Sequence, residues 1–419
     1  MTQHYRPSVR ALLTFVVLSA AVLSQAPLGR AQQTTGPHWP VHTLDLGQDQ
    51  QSIVLRLQFN GPQDVSLESA RVVTGRAFGR RAEPPLLRLR LRDADGTILD
   101  QFNAWHPLWA FRFDGPTERR ILRTSASGQF VMPFSPLLAQ IDVSDVRLGV
   151  DLISVRLADL AVNSIVPVGV PPDVVIGQTF AVTLQSVVTN YGPATPLDLR
   201  LTTTATPTAG IQVVPLADDE DALALQAGEL RTLAQTFAVT CHQPGAHTVS
   251  FAAVARPLNA SDADLNPANN QATTQLTVDC VVPVAINIRP GGFPNSVNLN
   301  DASVSLAVLT TAAGEYGLPL AFDATTISPL TVRFGPEDLV FSGTGGGSEI
   351  HQQGHIGDAP ERSDEKTRDR DLDMILHFRA VESGLFLGQT KACVKGLYVD
   401  PATSAQFKFF GCDSIIVVP

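Results

Sequence analysis

The run Leu86-Leu-Arg-Leu-Arg-Leu-Arg92 constrains this chain more than any other feature. Its period of two sends Leu87, Leu89 and Leu91 one way and Arg88, Arg90 and Arg92 the other, an arrangement a strand allows and a helix does not. Short alternating runs recur at residues 53–59, 180–184 and 272–278, bounded by Gly, Pro, Asn and Asp. Apolar residues at helical spacing are almost absent. Thr- and Val-rich strands at short intervals with frequent turns predict an all-β chain of tandem β-sandwiches of the immunoglobulin-like type.

The N-terminal region predicts where the chain resides. Arg6 and Arg10 precede an apolar run over 11–23, and Gly29-Arg30-Ala31 follows. A basic stretch, a short apolar core and small residues at −3 and −1 read as a secretory signal peptide, residues 1–31, with Gln32 as the new N-terminus; a cut after Ala26 is the alternative. The apolar run is too short to span a bilayer, which takes ~20 residues. No Cys follows it to carry a lipid anchor, and no later stretch is long and apolar enough to cross a membrane. The expected location is therefore outside the cell or on its surface. The net charge is −10, and losing Arg6, Arg10 and Arg30 makes it more negative. Such a surface repels phosphate backbones and excludes nucleic acid as a natural partner; it suits solubility and divalent cations.

The four cysteines are Cys241, Cys280, Cys393 and Cys412. An even count in an exported chain points to disulfides, with three connectivities open. The division into domains given next favours Cys241–Cys280 and Cys393–Cys412, since each pair then lies inside one domain. No Cys-x-x-Cys spacing supports a thiolate zinc site or a redox motif.

Turn chemistry divides the remainder into three parts. Residues 41–158, after a polar leader, form the expected N-terminal sandwich: Asp93-Ala-Asp-Gly96 marks a tight turn, residues 128–134 read as an edge strand because Pro133 donates no ladder hydrogen bond, and residues 143–157 close it as a hairpin-like pair. This part resembles β-sandwich modules that precede catalytic domains in exported hydrolases, although no catalytic domain follows it. Residues 159–281 contain Asp159-Leu-Ala-Val162, Thr189-Asn-Tyr-Gly-Pro193 and Asn266-Pro-Ala-Asn-Asn270. These motifs resemble the bacterial cell-adhesion-related (CARDB-like) modules, which implies a spacer or adhesion role; Cys241 and Cys280 are additions to that pattern. Residues 284–419 carry Ile286-Asn-Ile-Arg-Pro-Gly-Gly-Phe-Pro-Asn295, then Asp369-Arg-Asp-Leu-Asp373 running into a strand-like stretch that ends at His377-Phe378, then Phe410-Gly-Cys-Asp-Ser-Ile415. In that order they resemble a C-terminal β-rich module of exported bacterial proteins, which implies location and architecture rather than a reaction. Residues 343–370 predict a long polar surface loop.

Few residues carry chemistry. Asp369, Asp371 and Asp373 alternate in a turn and could aim several oxygens at one hard cation, calcium. In the resembling modules this turn is rich in Asp, Asn and Gly; here Arg370 stands at the Gly and residues 357–368 are extra. The other reading is an acidic turn entering a strand, with Asp371 and Asp373 on its exposed face. Asp262, Asp264 and Asn266 repeat the spacing, either as a second calcium set or as an ordinary strand–strand turn. His351, His355 and His377 could hold zinc. A spacing of four aligns side chains on a helix, however, and this segment reads as a loop; His355 and His377 match positions that often carry His in the resembling C-terminal module, and the resemblance implies a packing role. Trp105, His106, Trp109, Phe111 and Phe113 would stack on sugars if exposed and build the core if not. Asn259-Ala-Ser261 is a glycosylation sequon by pattern only.

Enzyme signatures are missing: no Gly-x-Ser-x-Gly elbow, no His-Glu-x-x-His, no phosphate-binding P-loop. The expectation is an exported, non-enzymatic surface or matrix protein with an adhesion or ligand-binding role. Its partner would be an extracellular protein or polysaccharide, and calcium is its candidate cofactor. A carbohydrate- or polymer-binding accessory protein, and a hydrolase with an unrecognised site, are the alternatives.

Overall fold

In the strand Leu87–Arg92 the three Leu are buried and the three Arg half-exposed, as the alternation demands. The computed structural model describes residues 51–75, 77, 86–114, 117–343, 345–360 and 367–419. The expected signal peptide (1–31), the polar leader and residues 41–50 lie outside them, as do the side chains of Phe111 and Phe113. The fold is all-β and built of tandem β-sandwiches. Among the described residues the only α-helix is Glu337–Phe341.

Residues 51–158 make two facing sheets. One orders Val65–Thr74, Gln51–Phe59 and Ala126–Pro133, so Pro133 does lie on an edge strand. The other holds Leu87–Arg92 between Ile98–Ala104 and Gln140–Asp145, with Val150–Ala158 beyond. Ile53, Leu55 and Leu57 from the first sheet and Leu87, Leu89, Ile141, Val155 and Leu157 from the second form one core. The turn after Arg92 is capped by the Asp93 carboxylate, which accepts from the N–H groups of Asp95 and Thr97, while Gly96 takes a positive φ of 82°. Only a residue without Cβ adopts that φ cheaply.

The last strand of this second sheet comes from elsewhere in the sequence. Asp262–Asp264 pairs in parallel with Val150–Ala158, in register Asp262 to Arg156, and Ala263 enters the first core. Asn190, fully buried, ties the same junction. Its Oδ1 accepts from Gly192 N (3.0 Å) and Asp159 N (3.3 Å), and its Nδ2 donates to the Ala194 carbonyl (2.7 Å). A Cβ on Gly192 would come within 2.5 Å of Asp159 N, so this corner takes only Gly.

Residues 159–419 share a second core, running from Ala158 to Val417. A nine-stranded sheet runs through it in the order Glu220–Leu225, Leu197–Pro207, Gly245–Pro257, Gln271–Pro283, Gln406–Ser414, Lys391–Val399, Ile327–Gly335 and Gly347–Ser348, with Asp173–Val175 paired to Gln271–Pro283 off this path. Two four-stranded sheets pack on it. One consists of Leu160–Val168, Thr179–Asn190, Leu230–Cys241 and Ile211–Pro215; its Phe237 meets Phe251 at 5.2 Å between ring centres. The other consists of Ile286–Ile288, Val304–Val308, Asp373–Phe378 and His355–Gly357; its Phe378 meets Phe334 at 5.1 Å. Strand Gln271–Pro283 crosses the border expected at 281–284: Val282 and Pro283 pair with Phe409 and Phe410. A Cβ on Gly411 would stand 2.4 Å from the Val284 carbonyl, so glycine permits this close approach.

The cysteines form Cys241–Cys280 and Cys393–Cys412. The first joins the two sheets of one sandwich, and the second joins partners in register on neighbouring strands.

Asp173 is a buried charge with two partners, Lys395 at 2.5 Å and Lys408 at 2.7 Å, and Lys408 also reaches Asp279 at 2.8 Å. Burial raises the Asp173 pKa, but the hydrogen bonds from Lys395 and Lys408 outweigh it and hold the carboxyl below its ordinary value. A carboxylate with a depressed folded pKa stabilises above the unfolded value, about 3.9, and loses that contribution as pH falls through the folded one. Denaturant titrations between pH 2 and pH 5 should therefore show stability falling with acid, and Asp173→Asn should flatten that fall. An unchanged slope in the variant would remove Asp173 from the acid response. At the alkaline end Lys408 acts with the opposite sign. Burial lowers its pKa, the bonds to Asp173 and Asp279 raise it further, and its contribution is lost only above the ordinary lysine value.

Candidate metal centre

His351, His355 and His377 come together in the fold. Each offers a ring nitrogen, and the three nitrogens lie within 4.8 Å of one another. Ring centres are 5.3 Å apart for His351 and His355, 4.9 Å for His351 and His377, and 5.5 Å for His355 and His377. Among the described residues, no other set of three His, Cys, Asp or Glu brings its ligand atoms this close together.

Local backbone explains the convergence. His377 lies on Asp373–Phe378, a strand whose alternation buries Met374, Leu376 and Phe378 and turns His377 to the other face. His355 begins the short edge strand His355–Gly357, which pairs antiparallel with it. Between His351 and His355 the chain turns at Gln352 (φ 63°) and Gly354 (φ 60°). The spacing of four thus closes through a turn rather than along a helix. A Cβ on Gly354 would meet the Met374 sulfur at 2.7 Å, so the turn also lies tight against the strand. Where an unstructured polar loop was expected over 343–370, Gly347–Ser348 and His355–Gly357 are built onto sheet edges. Edge pairing uses backbone groups and leaves little apolar pattern to read.

Glu349 completes the surroundings. Its side chain is fully buried, and its Oε1 stands 3.5 Å from His351 Nδ1 and accepts from His377 N at 3.4 Å. Its Oε2 and the His377 Nδ1 are buried without a hydrogen-bond partner. Burial lowers the His377 pKa, the His351 and His355 rings lower it further, and Glu349 opposes them. A neutral imidazole is the form that binds metal. Three imidazoles suit zinc and its first-row neighbours, whereas calcium takes oxygen ligands.

The acidic turn is differently arranged. Asp373 is buried rather than on an exposed face, and its two oxygens accept from Thr310 N and Ala359 N, both at 2.9 Å. Burial pushes its carboxyl above the ordinary range against those two bonds, and nearby Asp369 and Asp358 add to the rise. Asp371 is exposed, with its N–H on Asp369 Oδ1. The structure therefore leaves Asp369 and Asp371 at the surface and gives Asp373 a structural task.

Asp262 and Asp264 are likewise occupied. Asp262 accepts two bonds from Arg156, Nε at 2.8 Å and Nη2 at 2.6 Å. Asp264 accepts from Leu160 N and, at its other oxygen, from Asn266 N. Burial raises its pKa against those bonds. In the aromatic stretch, His106 is buried against Phe59 at 5.1 Å, and burial lowers its pKa. Trp105 Nε1 donates to the Trp109 carbonyl, and the Arg147 guanidinium covers the Trp109 ring at 4.5 Å.

No protein-family model matches the chain, and no curated protein matches it. Among solved structures it is similar to domains 4 and 5 of the S-layer protein SbsC, at 14% identity and TM-score 0.18, over 46% of this chain and 93% of that one. It is similar to the mouse nectin-like molecule 4 ectodomain at 9% identity and TM-score 0.21, over 87% and 94%. It is also similar to the C-terminal domain of the Streptococcus pyogenes antigen I/II-family protein AspA, at 8% identity and TM-score 0.19, over 62% and 100%. Superpositions this loose assign no residue here a role.

Proposed function

We propose that this chain is an exported, non-enzymatic surface or matrix protein whose sandwiches present loops and edges to an extracellular protein or polysaccharide. The observation that carries the reading is the closure of all four cysteines into two disulfides. Such bonds persist in oxidising compartments and are rare in a reducing cytosol. The signal-like residues 1–31 support the same location. No helix of the described residues is long and apolar enough to cross a membrane. Asp262, Asp264 and Asp373 are held by neighbours in the fold, which favours binding through surface loops over turnover at these carboxylates. The calcium reading of Asp369 and Asp371 remains part of this proposal as a surface contribution.

Cell fractionation and glycan and matrix-protein arrays test it together. The expected result is disulfide-bonded protein outside the cytosol and saturable binding to one extracellular class. Reduced protein retained in the cytosol, or hydrolytic turnover abolished by one substitution, would overturn it.

A further inference from the structure

We infer that His351, His355 and His377 form a zinc site at the edge of the four-stranded sheet, with Glu349 orienting His351 and a water filling the fourth position. This goes beyond the proposed function and does not depend on it.

Three observations carry it. The ring nitrogens lie within 4.8 Å. A tetrahedral ion at ~2.0–2.1 Å from each nitrogen needs them somewhat closer, on the order of 3.4 Å apart. His351 and His355 are exposed and have room to turn inward. The second observation is polar atoms buried beside the cluster without a partner, His377 Nδ1 and Glu349 Oε2, which are costly in a fold that has no use for them. The third is the carboxylate behind His351. Glu349 Oε1 faces His351 Nδ1 at 3.5 Å. A bond from Nδ1–H to that oxygen would leave Nε2 as the ligand atom, the arrangement that fixes tautomer and ring direction in metal-bound histidines. Three protein ligands leave one position to solvent, as in zinc sites that keep an open position.

The ion would pin residues 351–355 to the strand Asp373–Phe378 and so lock an otherwise short edge. The full exported chain is titrated with zinc, calcium and cobalt chloride, alone and as His351→Ala, His355→Ala and Glu349→Gln. Zinc should raise Tm in the wild type and in neither His variant; both substituted residues are exposed, so the variants should fold. Cobalt should give the intense visible bands of a tetrahedral site. Glu349→Gln should weaken zinc binding by ~10–100-fold. A zinc response that persists in both His variants, cobalt spectra of octahedral type, or a response to calcium and none to zinc would each overturn the site.

Discussion

Arg156→Ala is expected to destabilise the fold by about 3–5 kcal/mol, the usual cost of leaving a buried charge without its partner. The Asp262 side chain is fully buried, and Arg156 supplies two of its hydrogen bonds. Truncating Arg156 strands that carboxylate between the two cores and also removes the bond from Nη1 to the Pro196 carbonyl (2.8 Å). Asp262→Ala should cost clearly less, because Arg156 is 30% exposed and can turn to water. Urea unfolding of both variants and of the double variant measures the asymmetry. Equal losses below about 1 kcal/mol would describe a solvated surface pair instead.

Removing Cys241–Cys280 should lower stability by about 4 kcal/mol, and removing Cys393–Cys412 by about 3 kcal/mol. The difference follows from the sequence separations, 39 and 19 residues, since a longer closed loop restricts the unfolded chain more. Cys241 and Cys280 are also fully buried between two sheets, so their loss by alanine substitution adds unfilled space. Paired Cys→Ala variants compared by urea midpoint and slope give the order. Should the shorter loop prove the more costly, chain entropy would not be the main contribution of these bonds.

Strand character was legible where one face is buried: Leu87, Leu89 and Leu91 announce themselves by alternating with Arg. The cysteine pairing was legible because each pair belongs to one stretch of strands. The histidine centre is far less legible, and the sequence by itself points to packing. His351-x-x-x-His355 suggests a helix, and nothing in composition says that Gln352 and Gly354 turn the chain back or that His355 pairs opposite Ile375. A Gly inside a His-x-x-x-His spacing, followed by a His in a strand, is the signal that was present. Asp262 and Asp264 misled for a related reason. Turn residues and strand residues look alike when the strand is three residues long and its partner, Arg156, lies more than a hundred positions away. The sequence puts Asp373 on the exposed face because strand alternation predicts the side of a residue but not the loops that cover it; Thr310 and Ala359 do so here.

The strand Gln271–Pro283 has a practical meaning for anyone dividing this chain. Composition puts a border at 281–284, yet Val282 and Pro283 pair with Phe409 and Phe410, and Val284 N continues onto the Phe410 carbonyl at 2.9 Å. Scissors applied there would cut no linker. They would expose two raw strand edges, each with unpaired backbone groups beside buried phenylalanine, and such edges recruit other chains. A fragment ending at 281 or beginning at 284 would therefore be a sticky half-sheet, and a cut at 159 would strip Asp262–Asp264 from its partner strand Val150–Ala158, so residues 51–158 belong in the same piece as residues 159–419.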